Sequence, residues 1–136
     1  MRNPAVLCIV LIVAGAVAGC RNTTPSRQAP KPASPRTVEQ IREAFARAYP
    51  ESRVGVVIAT RPQDRLVAVG EVKGADFIEN QTVTFIDSEQ QVLTTGTIVR
   101  RLDDSVHVRY NDPDRGGREP RVGDVMVKTP YGSGTL

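Results

Sequence analysis

Ser105 and His107 are the pair that most invites a chemical reading, as a hydroxyl nucleophile beside an imidazole base. They sit at i and i+2 of an alternating stretch, Ser105-Val106-His107-Val108-Arg109-Tyr110. On a strand such residues share a face but stand about 6.6 Å apart along it. A nucleophile–base hydrogen bond needs about 2.6–3.2 Å, so the spacing makes a poor dyad and points to a surface histidine. Asp112-Pro113-Asp114-Arg115-Gly116 has the opening of a calcium loop. Such a loop also wants an acidic ligand at its fifth place and a Glu at its twelfth. Here those places hold Gly116 and Gly123, and turn chemistry explains the stretch better. Asp103-Asp104 falls between strand patterns, where Asp is expected in a turn. Gly116-Gly117 and Gly132-x-Gly134 do not lie between a strand and a helix, so neither reads as a phosphate loop. With a single histidine, zinc chemistry has few ligands to draw on. These residues therefore lead to no catalytic set, no metal site and no cofactor.

The two cysteines, Cys8 and Cys20, lie close to the start of the chain. Met1-Arg2-Asn3-Pro4 is a short cationic opening, and residues 5–18 form an uncharged apolar run. The run is short for a membrane span and fits the core of an export signal. Val17-Ala18-Gly19-Cys20 closes it: one aliphatic residue, two small ones, then cysteine. This resembles the lipobox of bacterial lipoproteins. The resemblance covers the first twenty residues. It implies diacylglycerol on the Cys20 sulfur, cleavage between Gly19 and Cys20, and a further acyl chain on the new amine. One acyl chain binds a bilayer marginally, whereas two or more hold stably. An uncleaved membrane helix with an incidental cysteine is the alternative. Arg21 follows the cysteine. In enteric-type bacteria an Asp there tends to retain lipoproteins in the inner membrane, so its absence resembles outer-membrane cargo where the host has two membranes. Cys8 would leave with residues 1–19, and Cys20 would be acylated, leaving no thiol for a disulfide or a nucleophile.

Residues 20–36 read as a lipidated cysteine and a tether. Four prolines, four basic residues and no large apolar side chain fall in 21–36, a composition that does not pack. Extended at about 3.1 Å per residue, such a stretch reaches roughly 50 Å. Its charge suits an anionic membrane surface or a plain solvated spacer. Asn22-Thr23-Thr24 and Asn80-Gln81-Thr82 match glycosylation sequons by coincidence in a bacterial setting.

The formal net charge of +3 for the 136 residues misrepresents the domain. From Thr37 onward 13 basic residues face all 15 acids, a formal −2. A nucleic-acid footprint needs a basic face, which this balance does not suggest. Aromatic residues make up 4 % and Trp is absent, so the core must be aliphatic.

Residues 37–50 read as a helix. Thr37 is its N-cap, Gln40 occupies the capping-box position and Pro50 stops it. Val38, Ile41, Phe45 and Ala48 form one stripe, and Glu43 and Arg47 pair on another face. The stripe means that the helix packs on something; acids at Glu39 and Glu43 disfavour an anionic membrane surface. Residues 51–129 then change to strand patterns: 54–59, 66–72, 82–86, 92–102 with a bend or bulge at Gly96, 105–110 and 125–127. Short strands with closely spaced turns make the chain mostly β, a small antiparallel SH3-like barrel of about six strands. The helix is expected to cap one open end. Residues 130–136 read as a loose tail.

The Val122-Gly123-Asp124 turn before the last strand is similar to that in the C-terminal small barrel of a periplasmic flagellar assembly protein, and in other envelope barrels. This second resemblance spans about residues 53–128. A lipid anchor, a spacer, a compact β domain and no catalytic set point to a membrane-anchored, non-enzymatic envelope module with a protein partner, and the charge balance points to no nucleic acid. A small periplasmic binder of cell-wall glycan or another ligand is the alternative. Such sites present aromatic faces, and the candidates here are Phe45, Tyr49, Phe77, Phe85, Tyr110 and Tyr131.

Overall fold

The structure, a computed structural model, describes residues 34–130. Cys20, Gly19, the leader, most of the tether and the 131–136 tail lie outside the described residues. One helix, α1 (Val38–Ala48), precedes six strands: β1 (Arg53–Arg61), β2 (Leu66–Gly70), β3 (Thr82–Ile86), β4 (Val92–Arg101), β5 (Val106–Tyr110) and β6 (Val125–Lys128). The strands close into an antiparallel barrel in the order β1-β2-β5-β4-β3-β6, with β6 returning to β1. The fold class expected from the alternating pattern is the one found. No described helix is long and apolar enough to cross a membrane.

Two long strands make the corners. β1 pairs β6 through Arg53–Val56 and β2 from Val56 onward, with a register shift between Val57 and Ala59. β4 pairs β3 from Val92 to Thr97 and β5 from Gly96 to Arg101, shifting between Ile98 and Arg100. A bulge adds one residue and increases the local bend and twist, which lets each strand serve both halves of a small closed sheet. The expected bulge at Gly96 is thus displaced to residues 98–100. Gly96 itself keeps regular register, opposite Val83 on one side and Tyr110 on the other. A Cβ there would stand 2.7 Å from Val108 Cγ1 and 2.9 Å from the Arg109 carbonyl oxygen. Close packing accounts for a glycine here, while the register shift falls later, between Ile98 and Arg100.

Alternation sends one set of side chains inward. Val57, Val67, Val69, Val83, Phe85, Ile98, Val106, Val108 and Met126 fill the barrel with Phe77 and Tyr110. A second cluster lies outside it: Val54, Ile86, Val125 and Val127 meet Val38, Ile41 and Phe45 of α1. The helix therefore lies across the outer wall of β1, β6 and β3, and does not cap an open end. A single apolar stripe reports that a helix packs, not which surface receives it. Ala48, at the end of the expected stripe, is exposed.

The helix start is as read. Thr37 Oγ1 accepts the Gln40 N–H, and Gln40 Oε1 accepts the Thr37 N–H at 3.0 Å. The Arg36 N–H donates to the Ser88 carbonyl at 2.8 Å, so the chain enters the domain beside the β3–β4 turn. That turn is held by Asp87 Oδ1, which accepts the Glu89 and Gln91 N–H groups at 2.9 and 2.8 Å. β2 ends two residues earlier than its pattern suggests, because Glu71 takes a left-handed backbone conformation, φ 58°.

Gly96→Ala is expected to destabilise the domain by about 1–3 kcal/mol, the usual range for overpacking. Urea unfolding followed by circular dichroism measures it. An unchanged midpoint would show that Val108 and the β5 backbone can move aside.

Candidate functional site

The structure separates the residues that invited a catalytic reading. His107 sits on β5 facing outward, opposite Ala68 of β2 and Arg100 of β4. Ser105 precedes the strand in the β4–β5 turn, is buried, and its carbonyl accepts the Leu102 N–H at 2.8 Å. No hydrogen bond joins Ser105 to His107 among the described residues. Asp112 pairs with Arg65 at 2.9 Å. The Asp114 carbonyl accepts the Gly117 N–H, with Gly116 at φ 89°. The 112–117 stretch is thus a hydrogen-bonded turn. The Asp103 carbonyl accepts the Gly74 N–H at 3.1 Å, tying the β4–β5 turn to the loop after β2. Among the described residues no three His, Cys, Asp or Glu side chains gather as a metal site would require.

The Val122-Gly123-Asp124 turn is a polar centre. Gly123 has φ 94°, a conformation glycine adopts readily. Asp124 is buried, yet its carboxylate accepts three hydrogen bonds. Two come from Arg118, Nη1 at 2.6 Å and Nη2 at 2.8 Å, and one from the Arg121 N–H at 2.7 Å. The fork of a guanidinium matches a carboxylate in this way. Asp124 raises the Arg118 pKa through these bonds, keeping the cation in place. The same turn ties into β1: the Gly123 N–H donates to the Val57 carbonyl, and the Val57 N–H to the Asp124 carbonyl. Sequence reading gave Asp124 its turn but missed Arg118. The six-residue separation across an irregular loop carries no periodic signal.

One open groove of about 820 Å³ lies where the later turns of α1 pass the barrel rim. Arg42 and Ala46 of α1, Arg53 and Val54 of β1, the 71–77 loop and Asp104 line it. Its charges are largely matched in pairs. Arg42 meets Glu71 at 2.8 Å, and Arg53 meets Asp76 at 3.0 Å. Lys128 Nζ donates to the Asp76 carbonyl and stands 5.4 Å above the Phe77 ring. Glu71 holds a left-handed conformation that disfavours side chains bearing a Cβ, and the Arg42 pair braces it. Phe77 is only 1 % exposed, so the groove offers no aromatic platform. Phe85 and Tyr110 also point into the core.

The second open feature is the outer wall of β2, β5 and β4. α1 covers the opposite half of the barrel and leaves this wall bare. It carries Ala68, His107, Arg109, Val99 and Arg100, and Ile58 leans over Gly70 beside it. No protein family model, curated protein or solved structure matches the chain.

Two outcomes test this geometry. Arg118→Ala leaves Asp124 buried with one hydrogen bond, and is expected to cost about 2 kcal/mol of stability. Chemical denaturation measures the loss, and a change within about 0.5 kcal/mol would discount the pair. Burial, then the charge and hydrogen bond of Glu119, raise the Tyr110 pKa above its ordinary 10. The folded state thus favours the neutral phenol. The stability this confers is complete below the ordinary value and is lost as pH rises through the raised one. Above pH 10 the protein should lose more unfolding free energy per pH unit than Tyr110→Phe does. Parallel curves for the two would remove the effect.

Proposed function

We propose that the chain is a bacterial envelope lipoprotein, acylated on Cys20 after cleavage behind Gly19. Its barrel would act as a non-enzymatic protein-interaction module on the periplasmic side or at the cell surface. The outer membrane is the favoured site in a host with two membranes. Val17-Ala18-Gly19-Cys20 and the apolar run before it support the anchor. The observation that carries the module reading is the division of the barrel's outer surface. One wall is buried by α1, and the other is left open with cations that no acid neutralises. Ser105 and His107 do not engage each other, and the groove's carboxylates Glu71 and Asp76 are bound to arginines. These arrangements support binding over catalysis, without a cofactor.

The glycan alternative draws on the groove alone. Sugar recognition uses aromatic faces, and among the described aromatics only Tyr49 is substantially exposed, at 38 %. Co-sedimentation with purified peptidoglycan would favour it over a protein partner.

Cys20→Ala is expected to abolish incorporation of labelled palmitate and to move the protein from the membrane to the soluble fraction. Labelling that persists in the variant would sink the anchor assignment. Membrane retention without labelling would replace it with an uncleaved helix.

A further inference from the structure

We propose that the open wall formed by β2, β5 and β4 is a docking surface for a polypeptide segment that presents acidic side chains beside aliphatic ones. The inference rests on the reading of the barrel as an interaction module and names its surface and the chemistry of its partner.

Charge is divided by element. All 15 acids of the chain lie in the helix, turns and loops, and none on a strand. The strands instead carry Arg53, Arg61, Arg100, Arg101, Arg109 and Lys128. Four of these six have partners. Arg53 pairs with Asp76 and Arg61 with Asp64. Arg101 donates to the Phe77 carbonyl and Lys128 to the Asp76 carbonyl. Arg100 and Arg109 have no ion pair or hydrogen bond among the described residues. Both belong to the open wall.

Their register places them together. Arg100 stands opposite His107, Arg109 stands opposite Thr97, and His107 and Arg109 share one face of β5. Diagonal neighbours across an antiparallel pair lie about 7–8 Å apart. No strand acid stands beside these two cations, and an arriving carboxylate could pair with both. Guanidinium suits that role because it takes carboxylates in a two-bond fork.

The wall is shaped as well as charged. Ala68 faces His107 on the other side of β5, giving a low floor. Ile58, 53 % exposed, rises over Gly70 at one margin, and Val99, 38 % exposed, lies beside Arg100 at the other. Small residues between aliphatic shoulders accommodate the side chains of a docked segment. Arginine beside an apolar centre is also the composition of protein interfaces. Strand addition would require an open sheet edge, and this barrel is closed. Recognition must therefore use the outward side chains.

The test titrates the acylated full-length protein, in neutral detergent, into a fluorescein-labelled alternating Glu-Leu peptide read by fluorescence polarisation. Saturable binding is expected. Arg100→Glu with Arg109→Glu should weaken it by at least about tenfold, and Arg47→Glu on α1 should leave it unchanged. A Lys-Leu peptide should not bind. Arg100→Lys with Arg109→Lys, which keeps the charge, should retain part of the affinity and controls for folding. In cells, a photo-crosslinking residue at Ala68 should join to an acidic segment of one protein, and the adduct should vanish in the double Glu variant. No saturable peptide binding, or equal binding by the double Glu variant, would overturn the proposal. So would binding of the Cys20→Ala chain to phosphatidylglycerol vesicles that depends on Arg100 and Arg109 while the peptide fails to bind. Peptide binding does not require the anchor, so an unsubstituted chain that takes up no labelled palmitate yet binds the peptide would fault the lipoprotein reading and leave the docking surface standing.

Discussion

Closure of the sheet by β6 is the constraint on which the rest of the molecule depends. This strand is four residues long and lies between β1 and β3. Met126 enters the barrel, while Val125 and Val127 lie under α1, so the strand is buried on both faces. Each such side chain contributes about 1.5–3 kcal/mol on burial. Without β6, β1 and β3 would become open edges, and α1 would lose much of the surface it covers. The polar turn before β6 serves that placement. Gly123 reverses the chain and Asp124 secures it through Arg118, while both backbone groups bind Val57 where β1 begins to bulge. One ion pair thus couples the last strand to the first corner of the barrel.

What could be read from the sequence follows from which interactions are local. Strand alternation is local, and the alternating 82–86 and 106–110 patterns are strands in the structure. The capping box is local, and Thr37 and Gln40 make it. The long strands revealed their length but not their bends. A bulge depends on how two partners divide one strand, and Gly96 stood in for it because glycine in a strand also marks close packing. The seat of α1 was not readable from its own stripe. A signal lay elsewhere: Val125-Met126-Val127 is continuously apolar, as strands covered on both faces are. Of the candidate site residues, His107 fell on the outward face its pattern indicated. The groove and the open wall arise from chain segments far apart in sequence, and no motif announces them.

The electrostatic picture shows the same limit. A formal −2 from Thr37 onward describes a mildly acidic domain and argues against a polyanion partner. The average conceals a segregation. Acids gather in turns, where short polar side chains bind nearby backbone, as Asp87 and Asp124 do. Acids are absent from the strands, whereas five arginines stand on them, where long side chains can lie along the outer wall. The result is a cationic patch on a domain of opposite net charge. Such a patch offers an acidic polypeptide a local match while the remainder of the surface repels it, which favours one orientation of approach.

The point at which the chain enters the barrel bears on how that patch would be presented. Arg36 binds Ser88 at the β3–β4 turn, so a tether from Cys20 would leave beside the start of β4. Arg100 lies at the opposite end of that strand, and Ala68 and His107 belong to the half of the barrel that α1 does not cover. A stretch of this composition spans at most roughly 50 Å when extended. With Cys20 as the proposed anchor, the bilayer would be approached from the turn end and the wall would stand to the side, open to a neighbouring protein. A basic tether and a basic wall would also repel each other, which keeps the patch from being masked by the chain's own linker. On that proposal the two cationic regions would have separate uses, the tether as a spacer from the bilayer and the wall as a site for acidic polypeptide.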